Sequence, residues 1–69
     1  MNEEEPFYIW IQKKTAELGL RQKDICRALK ITAGPVSKWF AGVARPNTSS
    51  VSKLAVLLNV KPEEILKRL

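Results

Sequence analysis

The run from Gln22 to Ala41, QKDICRALKITAGPVSKWFA, spaces its apolar residues as two short helices crossing at a tight turn require. Ile25 and Leu29, four apart, share one face of a first helix. Cys26 is small, as a residue must be where a second helix crosses closely. Ile31 anchors the turn, and Val36, Trp39 and Phe40 recur at spacings of three and four on the second helix. Gly34-Pro35 would break the middle of a helix but suits its start. Pro35 would be the third helical residue, where a missing N–H costs no intrahelical bond. Glycine tolerates best the backbone restriction that a following proline imposes.

The flanking residues punctuate three further helices. Helix one is expected from Pro6, whose missing N–H suits a first turn, to Leu18, with Phe7, Ile11 and Leu18 inward and Gly19 as its stop. The pattern leaves Trp10 and Tyr8 open between core and surface. Helix two is expected over Gln22–Leu29, behind Arg21, which is a poor cap. Lys30 and Ile31 form the turn, Thr32 caps helix three (Ala33–Ala41), and Gly42 ends it. Asn47 caps helix four (Thr48–Leu58), with Val51, Leu54, Ala55 and Leu58 inward and Asn59 as a left-handed stop. Pro62, with Glu63 and Glu64 suited to the macrodipole, opens helix five. The fold class is therefore all-α, five helices in one domain over residues 1–69.

With 69 residues the core must be small, and 45% hydrophobic with 28% charged residues marks a globular chain. One cysteine and no histidine disfavour metal sites and exclude an internal disulfide, and fit a reducing compartment. MNEEEP is acidic and no apolar leader follows it. No apolar run approaches a membrane span. Catalysis has little to stand on: no histidine, no paired catalytic acids, no glycine-rich phosphate loop. No cofactor is implied.

The net charge of +5 is unevenly placed. No acid falls between Ile25 and Pro62, so Arg27, Lys30, Lys38, Arg45, Lys53 and Lys61 stand unopposed. Such a surface suits a polyanion. The two crossing helices have the layout of a helix-turn-helix, residues 22–41, whose second helix can enter the major groove of DNA.

From Glu17 to Ile65 the chain resembles the Cro/repressor type of helix-turn-helix domain, the lambda repressor-like family. The matching pieces are ELGL (17–20), Gln22, VSKWF (36–40), GV (42–43) and LAVLLNVKPEEI (54–65), in order and at the family's spacing. The resemblance implies a five-helix lambda repressor-like DNA-binding domain with helix three as the reading helix. It implies that Gln22 bonds a phosphate, that Thr32, Ala33, Gly34, Ser37 and Lys38 face base edges, with Ala41 on the same outer face, and that Arg45, Asn47 and Thr48 meet the sugar-phosphate backbone. It also implies a homodimer through helix five, by Ile65, Leu66 and Leu69.

The departures from the family matter as much. Ala33 and Gly34 stand where hydrogen-bonding side chains are usual, which leaves close backbone approach and a methyl contact, for example to thymine. Lys38 then becomes the foremost candidate for guanine O6/N7, or else for a phosphate. Lys30 replaces a frequent glycine and would bear left-handed strain. Cys26 stands where alanine is preferred and is expected to be a buried, inert thiol. The acidic MNEEE is expected to form no DNA-wrapping arm of the kind lambda-like members have.

These features point to sequence-specific binding of a double-stranded DNA operator by a phage or bacterial transcriptional regulator. Such a regulator would be a cytoplasmic, nucleoid-associated repressor, either a complete short protein or one domain of a longer one. The alternative implied by the same family is a protein-binding module of the antitoxin or adaptor kind. Ala33 and Gly34 favour it, and the acid-free basic stretch opposes it.

Overall fold

A computed structural model describes residues 5–69; the expectation about an arm at the N-terminus rests on residues outside that range. Five helices follow in order: α1 (Phe7–Leu18), α2 (Gln22–Leu29), α3 (Ala33–Ala41), α4 (Thr48–Leu58) and α5 (Pro62–Leu66). No strand occurs among the described residues.

The helix ends follow from local chemistry. Pro6 lies one residue outside α1 rather than in its first turn. It is extended (φ −65°, ψ 156°), and its carbonyl accepts the N–H groups of Ile9 and Trp10 at 3.2 and 3.0 Å. Arg21 offers no acceptor at the start of α2. Asp24 compensates by reaching back, its Oδ2 accepting the Arg21 N–H at 2.9 Å. Thr32 occupies the cap position of α3, yet its hydroxyl makes no cap bond. Asn47 does cap α4, its Oδ1 accepting the Ser50 N–H at 2.8 Å. Gly19, Lys30, Gly42 and Asn59 all end their helices in the left-handed region, at φ 71°, 59°, 82° and 58°. Lys30 is thus strained as expected, because a Cβ there crowds the following carbonyl.

α3 packs between α1 and α2, and α4 packs on α2 and α5. The core is formed by Phe7, Trp10 and Ile11 of α1, Ile25 and Leu29 of α2, and Val36 and Trp39 of α3, with Val51, Leu54, Ala55 and Leu58 of α4 and Ile65 of α5. Each fully buried aliphatic side chain contributes about 1.5–3 kcal/mol relative to exposure.

Two expectations about inward residues need correction. Leu18 is 45% exposed, because α1 turns its last apolar position away from the core. Thr15 is buried instead, and it is accommodated because its hydroxyl donates to the Ile11 carbonyl at 2.8 Å. Trp10, left open above, is inside. It lies 6.2 Å from the Phe7 ring, and the Arg68 guanidinium sits 4.9 Å over it. Cys26 is half-buried rather than fully buried, a free thiol packed against the core edge.

Two opposite substitutions test the left-handed helix ends. Lys30→Gly relieves roughly 1–2 kcal/mol of backbone strain and loses roughly 0.5–1 kcal/mol to unfolded-state entropy. It should therefore raise the urea midpoint slightly. Gly42→Ala should destabilise by more than about 1 kcal/mol. A Cβ at that φ would also stand 2.9 Å from the Tyr8 ring. A lowered midpoint for Lys30→Gly would refute the strain assignment.

Candidate nucleic-acid interface

α3 carries two kinds of residue. Val36 and Trp39 are withdrawn from water and Phe40 is half-buried, whereas Ala33, Gly34, Pro35, Ser37, Lys38 and Ala41 are exposed. Positions 33 and 34 are followed after three or four residues by 37 and 38, and these by 41, so they form a single outer stripe. The stripe opens with residues lacking side-chain donors and becomes polar one turn later, at Ser37 and Lys38.

The other residues singled out for DNA contact are exposed too. Gln22 is the first residue of α2, Thr32 immediately precedes α3, and Arg45 stands in the loop after it. Asn47 and Thr48 are the cap and first residue of α4, also exposed. Asn47 uses its Oδ1 for the cap, so its amide N–H groups remain to donate outward. α2 and α3 pack on each other, which brings Gln22 and the α3 stripe into one paired-helix unit. Arg45 lines a shallow cleft of about 230 Å³ with Tyr8, Gly42 and Arg68.

The charge distribution reinforces this layout. Arg27, Lys30, Lys38, Arg45, Lys53 and Lys61 are exposed, and none takes part in an ion pair among the described residues. Four of the five described acids are engaged elsewhere. Glu5 pairs with Lys13, Glu17 with Lys14, and Glu64 with Lys67 and Arg68. Asp24 faces its own helix start. Six exposed cations, unpaired among the described residues and set in a stretch of chain without acids, attract a polyanion at long range.

The residues expected to form a dimer contact do not share one environment. Ile65 is wholly buried within the protomer, so it belongs to the core and is unavailable to a partner. Leu66 is 51% exposed, and Leu69 is half-buried against the core. α5 is a five-residue helix with a single buried residue, and Ile65 is the anchor that docks it on α4.

Three features escaped the periodicity argument. Gln12 Nε2 donates to the Phe40 carbonyl at 2.9 Å, the Tyr8 ring lies against Gly42, and Val56 is 83% exposed on the outer side of α4. Only Val56 left a trace in sequence, as an apolar residue off the inward set 51, 54, 55 and 58.

The fold and this surface together define an all-helical helix-turn-helix domain. The Cro/C1-type helix-turn-helix family model matches residues 11–65, most of the chain, and the protein belongs to that family. The family is one of DNA-binding transcription regulators rather than enzymes. No curated protein and no solved structure gives a significant match to the chain.

The two neighbouring positions of α5 should respond differently to truncation. Ile65→Ala should destabilise the protomer by about 2–4 kcal/mol through lost burial and a residual cavity. Leu66→Ala should cost less than about 1 kcal/mol at dilute concentration. Chemical denaturation of both variants checks this, and equal losses would contradict the burial difference.

Proposed function

We propose that this domain reads the sequence of double-stranded DNA as the binding domain of a phage or bacterial repressor. The observation that carries the reading is the exposed stripe of α3, from Ala33 and Gly34 to Ser37 and Lys38, together with six exposed cations that form no ion pair among the described residues. Thr32, Ala33, Gly34, Ser37 and Lys38 face the major groove. Gln22, Arg45, Asn47 and Thr48 hold phosphates and fix the register. Lys38 supplies the main polar base contact, and Ala33 a methyl contact to thymine. The protein acts in the bacterial cytoplasm at the nucleoid, without cofactor or small-molecule substrate.

It binds a palindromic operator as a two-fold dimer, with half-sites about one helical turn apart. With Ile65 inside the core, the helix-five contact reduces to Leu66 and the rim of Leu69. Val56 supports a second location for the contact. It projects from α4 beside an open groove lined by Ala55, Val60 and Pro62, so the patch presents both a knob and a recess, as a two-fold interface requires. Val56→Glu and Leu66→Glu, compared by sedimentation at high protein concentration, separate the two: the variant that stays monomeric marks the contact.

The direct test is selection of bound duplexes from a random pool at about physiological salt. A palindromic consensus is the expected result. No enrichment by a folded, artificially dimerised protein would sink the reading and favour the protein-binding alternative, which the donor-free first turn of α3 otherwise supports. On the selected site, Lys38→Ala should cost roughly 1–3 kcal/mol and relax one base step. An equal loss on all sequences would make Lys38 a phosphate contact. Arg45→Ala should weaken all duplexes alike and lower the salt slope by about one unit; unchanged binding would remove Arg45 from the interface.

A further inference from the structure

The end of α3 is not held by its own chain alone. The Lys38 and Trp39 carbonyls accept the N–H groups of Val43 and Gly42, at 3.1 and 3.3 Å. The next carbonyl, that of Phe40, is taken by Gln12 Nε2 from α1, 28 positions earlier in the chain. One residue beyond α3, the Tyr8 ring presses on Gly42, where a Cβ would stand 2.9 and 3.0 Å from ring carbons. Gly42 is therefore required twice, by its φ of 82° and by the ring. The loop that starts there leads within three residues to Arg45, and Arg45 lines the same cleft as Tyr8.

We propose that Tyr8 and Gln12 are positioning residues for DNA recognition: by fixing the exit of α3 they set where Arg45 and Asn47 meet the backbone. Neither is a core residue. Tyr8 is 38% exposed and Gln12 is exposed, whereas the buried side chains of α1 are Phe7, Trp10, Ile11 and Thr15. Gln12 lies on the outer side of α1, where solvent would satisfy its amide equally well, so its burial does not account for the bond across to α3. A free Phe40 carbonyl would still find water, and the core would remain closed. What changes is the freedom of the segment Gly42–Asn47, which has no secondary structure of its own between α3 and α4. The inference rests on the DNA-reading function proposed above. It adds that α1, which offers none of the proposed contacts, sets the geometry of those in the loop.

Two readouts test it. Gln12→Met removes the donor at nearly constant shape, and Tyr8→Ala removes the ring, while Tyr8→Phe keeps the ring. In the DNA-free protein, amide exchange should quicken at Gly42 and Val43 in Gln12→Met and Tyr8→Ala but not at Leu54 or Leu58. On the selected duplex, Gln12→Met should bind about fivefold more weakly, the scale of one neutral hydrogen bond, and Tyr8→Ala should also bind more weakly than the parent. The loss should shrink in an Arg45→Ala background, because the variants act through that loop. Tyr8→Phe should bind as the parent does. Faster exchange throughout the domain, or a loss undiminished by Arg45→Ala, would make the two residues merely structural and overturn the inference. Unchanged exchange would overturn it without reference to DNA. Failure of the parent protein to select any duplex would instead overturn the DNA-reading function on which the inference rests.

Discussion

Val36 and Trp39 are the two side chains by which α3 is buried, and the usefulness of that helix depends on how few they are. A helix of nine residues is marginal in isolation and gains its stability from packing. Here one turn of apolar side chains, supported by the half-buried Phe40, fixes the helix against α1 and α2. Everything else on it faces outward. With more of the helix buried, the stripe available to a partner would narrow. With less, α3 would not be held. The left-handed stop at Lys30 and the short turn through Ile31 let α2 and α3 cross closely, and that crossing buries Ile25, Leu29 and Val36 together.

Charge is arranged by the same separation. The described acids either pair with bases on α1 and just after α5 or lie at the starts of α2 and α5, where the helix dipole favours them. The middle of the chain is left with cations that no carboxylate neutralises among the described residues. Such exposed, unpaired cations contribute little to folding. Their effect is a field, and a field directs encounter with a polyanion before any specific contact forms.

How much of this was legible in sequence varied with the kind of force involved. The end of α3 and both ends of α4 could be read, because Gly42, Asn47 and Asn59 announce local backbone geometry through their own chemistry. The start of α1 was off by one because Pro6 satisfies both the cap and the first helical position, and only its ψ of 156° decides. Leu18, expected inward, is exposed and Thr15 is buried, because a hydroxyl bonded to its own helix behaves as apolar, which periodicity does not register. Ile65 was read as an interface residue when it is the anchor of α5, since an apolar residue on a short terminal helix looks the same in either role. The bond from Gln12 to Phe40 had no sequence signal: a glutamine on an outward face says nothing about a carbonyl 28 residues away.

The first turn of α3 has a consequence for how sequence would be read under the proposed function. Ala33, Gly34 and Pro35 provide no side-chain donor, so the bidentate contacts that usually discriminate adenine or guanine cannot arise there. Small residues do permit the helix to sit close to the bases, and closeness makes fit sensitive to groove width and local twist. Discrimination would then divide between few polar contacts, at Ser37 and Lys38, and the deformability of the duplex between half-sites. A domain of this kind depends on its backbone contacts being rigidly placed, because shape is read only against a fixed frame. The Asn47 cap, the turn at Gly42 and the contacts from α1 supply such a frame, so the poverty of α3 in donors and the firmness of its exit fit one recognition strategy.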